Sequence, residues 1–282
     1  MKFSSPAADA YVPDNRPLAA ALARTTHLCI AAHQDDIEIM AHHAIAECHG
    51  RPDRWFTGVV VTDGGGSPRA GRFADFTNEE MKVVRRDEQR RAARLGKYAA
   101  ALQLAHPSAV VKSAQSTVVR ADLVAILKAT NPETLYLHNP ADKHDTHIAV
   151  LLRCLEALRS LPKAKRPKQV YGCEVWRNLD WLLDTDKHVL DDSAKPALAA
   201  RLIGAFESQI AGGKRYDLAI AGRRLANATF HTSHATDRAT ALTWAMDLSP
   251  LMQDDTLTVE KLTLAHIDRL RADVAARLRK FK

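Results

Sequence analysis

A chain of 282 residues, 46% of them hydrophobic, has enough apolar mass for a full core, as one large α/β unit or a unit with an appendage. Its formal net charge of +7 invites a nucleic-acid partner, but the basic residues are dispersed over helices and loops without the interleaved aromatics of a stacking platform, so none is expected. No stretch approaches the roughly 18 consecutive apolar residues of a membrane span, and the N-terminal segment has no continuous apolar run like that of a signal peptide.

The four cysteines, Cys29, Cys48, Cys154 and Cys173, sit in apolar patterns with no C-x-x-C pair. They read as reduced core residues of a cytoplasmic protein rather than as a disulfide frame. In chain order, residues 27–33 (HLCIAAH) read as a short buried strand. Ile37, Met40, Ala41, Ala44, Ile45 and Cys48 then recur at helical spacing, and His49–Gly50 closes that helix. Residues 55–63 (WFTGVVVTD) form the clearest buried strand and run into the glycine-rich loop GGGSPRAGRFADF. Thr77 and Glu80 make a capping box for a long helix that ends at Leu95–Gly96. A strand near 100–104, a helix from about Ser116 to Thr130 and the strand TLYLH follow. After the loop NPADKHDTH come a helix through Ile148 to Leu158 and the strand QVYGCEVW.

This alternation predicts an α/β fold, an open and mostly parallel sheet with helices on both faces. Beyond about residue 178 the pattern turns predominantly helical, with PALAARLIGAFESQI and a last helix whose Ile267, Leu270, Val274 and Leu278 form one apolar stripe. The simplest reading is one domain over residues 1–282, with a core of about 25–178 and a helical C-terminal extension of about 179–282. Binding sites of open parallel sheets collect at the carboxyl ends of the strands. Two His/Asp clusters fall there, HQDD at residues 33–36 and the HDTH that begins at His144.

A zinc-type ion needs three or four His, Asp, Glu or Cys ligands converging at about 2 Å. His33 and Asp36 are three residues apart, as are His144 and His147, so each pair can face one point at a strand-to-helix junction. The competing reading of Asp35 or Asp36 is a helix N-cap, and a lone histidine is commonly structural. Two such motifs on one sheet edge favour the metal.

AAHQDDIEI followed about a hundred residues later by NPADKHDTHIAV resembles the signature pair of the PIG-L-like, or LmbE-like, zinc-dependent N-deacetylases. The likeness covers most of residues 27–176, including the VTDGGGSPRAG loop and the RRDEQRRAARLG helix, and FESQI is a weaker match further on. It implies a Rossmann-like fold, one Zn2+ per chain and removal of the acetyl group from an N-acetylglucosamine-type sugar. By position it makes His33, Asp36 and His147 the metal ligands, Asp35 the general base, and His144 the group that supports the tetrahedral intermediate. The chain departs from the family pattern at Gln34, where proline is usual, at Ile37, which displaces the acidic residue to Glu38, and at Thr146, where an aspartate often precedes the last histidine. Asp142 is a candidate partner for His144, or a turn residue, because metal-site histidines usually give their second N–H to a carboxylate.

Arg69, Arg85 and Arg86 read either as grips on substrate hydroxyls or a phosphate, or as solvated faces. Glu174 and Trp176 end a predicted strand on the same edge, where Trp176 stacks on a sugar or packs in the core. His42, His43, His231 and His234 match no ligand pattern. The expected partner is therefore a small N-acetylated sugar of polar or anionic character. Assembly as a homo-oligomer is left open, as are amide cleavage of a thiol conjugate and a non-catalytic sugar- or nucleotide-binding role. A binding protein has no need of Asp35 as a base.

Overall fold

Side-chain alternation along the central strands decides the layering. In β2 (His27–Ala31), Leu28 and Ile30 enter one apolar cluster while Cys29 and Ala31 enter another. In β3 (Phe56–Thr62), Val59 and Val61 face the first cluster and Phe56 and Val60 the second. Strands buried on both faces must be covered on both. The computed structural model, which describes residues 1–211 and 213–282, shows that cover.

The first face carries α1 (Leu18–Ala23), α5 (Ser108–Lys112), α6 (Thr117–Thr130), α7 (Asp145–Arg159), α11 (Pro250–Gln253) and the first turns of α12 (Val259–Lys280). The second carries α2 (Asp36–Met40), α3 (His42–Cys48), α4 (Asn78–Gly96), α8 (Pro196–Ile203) and α10 (Tyr216–Phe230), with the short α9 (Glu207–Ala211) beside α4. The remaining strands are β1 (Asp9–Tyr11), β4 (Ala100–His106), β5 (Thr134–His138), β6 (Gln169–Cys173), β7 (Lys187–Asp191) and β8 (Leu242–Asp247). The sheet order is β1-β4-β3-β2-β5-β6-β8-β7. β4, β3, β2, β5 and β6 run parallel, and β1, β8 and β7 add antiparallel pairings at the two edges.

The fold class expected from sequence is the one found, with instructive local differences. Thr77 and Glu80 make both hydrogen bonds of the capping box. At the other end of α4 the left-handed cap is Lys97 (φ 53), not Gly96. Gly96 is small for another reason: a Cβ there would lie 2.3 Å from the Tyr98 ring. The single helix expected over residues 37–48 breaks at Ala41 (φ −125, ψ 24). Arg224, from α10, donates to the carbonyls of Glu38 and Ile39 at 3.0 Å, and so takes the acceptors a continuous helix would give to residues 42 and 43.

Residues beyond 178 supply β7 and β8 as well as helices, so the C-terminal part extends the sheet past β6. The stripe on α12 does not pack: Ile267, Val274 and Leu278 are 42%, 46% and 64% exposed. Only the first two turns of that helix, through Val259 and Leu262, reach the core. All four cysteines are buried and free. No helix among the described residues is long and apolar enough to cross a membrane.

Candidate metal centre and active site

β2 and β5 are neighbours, but β2 is followed by β3 on one side and β5 by β6 on the other. Their carboxyl ends therefore bound the crevice where strand order reverses, the place where open α/β sheets bind ligands. His33 follows β2, and His144 and His147 lie at the entry to α7 after β5. Between strand and helix, Asp35 adopts φ 92, a conformation uncommon for any residue with a side chain. It occupies the N-cap position of α2, yet its side chain makes no capping hydrogen bond. The capping account of the paired aspartates is thereby excluded for Asp35. Asp36 turns back instead, and its carboxylate accepts the backbone N–H of His33 at 2.8 Å.

Three atoms then converge. His33 Nδ1 lies 3.2 Å from Asp36 Oδ2 and 3.2 Å from His147 Nε2, and His147 Nε2 lies 3.3 Å from Asp36 Oδ2. Ligands about 2.0–2.2 Å from a tetrahedral ion are separated by roughly 3.3–3.6 Å. One face of such a tetrahedron is thus already drawn by two nitrogens and an oxygen, and the donor set fits a divalent zinc-type cation. His138 Nε2 is 3.7 Å from Asp36 Oδ2, but it accepts the Ala32 N–H at 2.8 Å, which uses its lone pair. His138 accordingly supports the site, with its ring stacked 3.9 Å from that of His147.

The electrostatics match a place for a cation. Burial pushes the Asp36 carboxyl up, but the facing His147 and His33 more than reverse this and hold it well below the usual range. Burial lowers His147, and Asp36 with Asp142 outweighs that, lifting it to about 9. Asp142 Oδ2 is 3.1 Å from His147 Nδ1 and holds the proton there, so Nε2 is the nitrogen that would give up its proton to a cation and turn its lone pair to the ligand position. This corrects the expected pairing: Asp142 orients His147, and it touches His144 only through the backbone N–H at 3.3 Å. Asp142 also accepts from the N–H of Trp176, tying β5 and β6 loops together. His144 Nδ1 accepts the Thr146 N–H at 3.3 Å, leaving Nε2 as a donor, and burial lowers its pKa so that the ring is neutral at pH 7.

Asp35 Oδ2 lies 3.2 Å from Arg85 Nη2. Arg85 is 1% exposed, so the solvated-face reading of this residue does not apply. It bonds Glu88 at 3.0 Å and the Gln34 carbonyl, and Glu88 in turn accepts from the backbone and hydroxyl of Ser208 at 2.7 and 2.8 Å. The FESQI segment thus reaches back to fasten the arginine. Burial pushes Asp35 up to about 6, against the pull of Arg85.

These groups open into a cleft of about 620 Å³ lined by His33, Asp35, Asp36, His144, Arg85 and Trp176 among others. Trp176 is at the surface of the cleft, its ring 6.3 Å from that of His144. Three sequence candidates lie elsewhere. Arg69 folds back onto the Gly65 carbonyl and Asn78, and does not line the cleft. Arg86 faces a separate small cavity beside Gln103. Glu174 is buried, where its carboxylate accepts the N–H groups of Leu179 and Trp244 and the Asn227 amide, a structural task. His138, Lys112, Lys214, Tyr216 and Arg223 were not legible as site residues, although His138 closes the quoted strand TLYLH. His42 pairs with Asp192 at 3.1 Å, away from the metal position.

Known proteins share this architecture at low identity. N,N'-diacetylchitobiose deacetylase from Pyrococcus horikoshii superposes with a TM-score of 0.65 at 16% identity, over 82% of this chain and 86% of that one. The hydratase GalB of Pseudomonas putida gives 0.59 at 16% identity, over 79% and 96%. A deacetylase of the antimicrobial A40926 pseudoaglycone gives 0.56 at 15% identity, over 78% and 96%. These likenesses show the fold and, since one of the three is a hydratase, do not by themselves choose the reaction. No curated protein matches by sequence. The family model described as PIG-L, GlcNAc-PI de-N-acetylase, matches residues 28–158, the segment that holds His33, Asp35, Asp36, Asp142, His144 and His147, and over that segment the chain carries a PIG-L family domain.

Proposed function

We propose that the protein is a zinc-dependent hydrolase that removes the acetyl group from an N-acetylglucosamine-type amino sugar or its conjugate. The observation that carries this reading is the triangle of His33 Nδ1, Asp36 Oδ2 and His147 Nε2 with the carboxylate of Asp35 opening into the same cleft. A divalent cation held there would supply Lewis acidity to water and to the amide carbonyl. Asp35 takes the proton of the attacking water as general base. A carboxyl raised to about 6 is ionised at pH 7 yet basic enough to accept that proton. Arg85 fixes the carboxylate's position, so little reorganisation is needed when the proton arrives. His144, with Nε2 as donor, hydrogen-bonds the developing oxyanion or the departing amine. Trp176 provides an apolar wall for the sugar ring.

The deacetylases among the structural relatives and the family model favour an amide substrate over the alkene of a hydratase. Incubation with a panel of N-acetyl sugars should release acetate and free-amine sugar in equal amounts. Activity should vanish on chelation and return with zinc. Chelator-insensitive turnover would remove the mechanism, and cleavage of thiol-conjugate amides alone would move the substrate to that class.

A further inference from the structure

The cleft carries positive charge that the hydrolytic mechanism does not use. Lys112 at the end of α5, Lys214 just before α10, and Arg223 within α10 all line it. Among the described residues none of the three forms an ion pair with a carboxylate, whereas the neighbouring cations are taken: Arg85 by Asp35 and Glu88, Lys82 by Asp63 and Glu79. The acidic groups lining the cleft are Asp35, Asp36 and Asp63. Asp35 faces Arg85, Asp36 faces the histidines, and Asp63 lies 3.3 Å from Lys82, so among the described residues no lining carboxylate is left for the three. The buried Glu174, which accepts from Leu179, Trp244 and Asn227, acts on Arg223 only through its charge.

Two of the cations converge on one short segment. Lys214 Nζ stands 5.2 Å from the centroid of the Trp176 ring, and Arg223 donates to the Val175 carbonyl at 2.5 Å. The tryptophan ring in turn neighbours His144 at 6.3 Å and Tyr216 at 6.2 Å. A sugar lying against Trp176 with its amide near His144 would therefore present its other substituents toward Lys214 and Arg223. Like charges that share a cleft repel one another and set up a field that an anion relieves. A neutral sugar would leave that repulsion standing.

Building on the deacetylase reading of the same site, we infer that the substrate carries an anionic group, a phosphate or a carboxylate, read by Lys214 and Arg223 with Lys112 adding to the field. Both principal residues lie beyond the matched domain at 28–158, so this selectivity belongs to the C-terminal part of the chain.

The test compares kcat/KM for N-acetylglucosamine, its 1-phosphate, its 6-phosphate and N-acetylmuramic acid, which also separates phosphate from carboxylate. At least one anionic sugar should exceed the neutral one by on the order of tenfold at low ionic strength. That ratio should fall toward one in about 0.5 M salt and in the K214M/R223M double variant. Calorimetric titration of glucosamine 6-phosphate, glucosamine 1-phosphate and glucosamine into wild type and the double variant supplies a readout independent of turnover. If no acetyl sugar is hydrolysed but an amino-sugar phosphate still binds more tightly than glucosamine, and loses that advantage in the variant, the deacetylase reading falls and the cationic subsite stands. Ratios within twofold of one in both measurements, or an advantage unchanged in the folded variant, overturn the subsite.

Discussion

Asp35 and Asp36 are adjacent in sequence and serve opposite ends. Asp36 points at two histidines that hold its carboxyl well below the usual range, while burial lifts Asp35 to about 6 against the pull of a neighbouring guanidinium. Asn tolerates positive φ at least as well as Asp, so Asp35→Asn should leave the backbone at φ 92 intact and remove only the proton acceptor. Turnover should fall by on the order of 10²-fold or more while metal content, measured by elemental analysis, stays at about one per chain. Loss of the metal in this variant, with retention in Asp36→Asn, would exchange the two roles. Asp142→Asn should weaken metal affinity about 10- to 100-fold, because the His147 tautomer loses its carboxylate acceptor. A competition titration against a chromophoric chelator measures that directly. The converging His33, Asp36 and His147 were singled out by the motif resemblance, with His33/Asp36 and His144/His147 each three apart on one chain segment. His138, Lys214, Tyr216 and Arg223 were not, because sheet pairing and the docking of α10 bring them to the cleft from distant segments.

At the scale of elements, local rules predicted the ends of α4 but not what its single glycine is for. The capping box is formed as its sequence implies. The glycine at the other end answers to packing: the left-handed turn falls on Lys97, and Gly96 makes room for the Tyr98 ring. Gly96→Ala should therefore destabilise the protein despite alanine's better helix propensity, by about 1–3 kcal/mol from overpacking. A urea melt decides it, and a stabilised variant would show that the ring moves aside without cost. The break between α2 and α3 escaped the sequence for a comparable reason. Apolar spacing continues unbroken through Ala41, and only the guanidinium of Arg224, far along the chain, withdraws the two carbonyls. Arg224 also pairs with Asp192 at 3.1 Å, and Asp192 with His42. The C-terminal helices thus hold the metal-side helix at its far end.

For the molecule as a whole, the alternation of strands and helices from β2 to β6 and the mostly parallel sheet were legible in the sequence, whereas the strand order was not, and neither were β7 and β8. Their segments read as helical or irregular because neither is a long apolar run, and β7 is a partly exposed edge. Acid stability is another global property with a local origin. Burial, with the nearby charge of Arg54, lowers His27 from its ordinary 6.5 to about 4. Between those values the unfolded chain binds a proton that the folded chain does not, so stability present above pH 6.5 drains away as pH falls toward 4. From pH 7 to pH 5 this histidine alone should cost about 2 kcal/mol. Denaturant melts of His27→Gln should show a shallower loss over that interval, and parallel curves for the two proteins would count against it. The sheet order has a kinetic consequence too. β8 lies between β6 and β7, so β7 has no strand to pair with until residues 242–247 have left the ribosome, and the outer edge of β6 stays open equally long. An open parallel-sheet edge next to an unpaired strand invites association with other chains. Refolding yield should therefore fall with protein concentration more steeply than refolding rate, and the last strand to be made is the one that seals the molecule against its own copies.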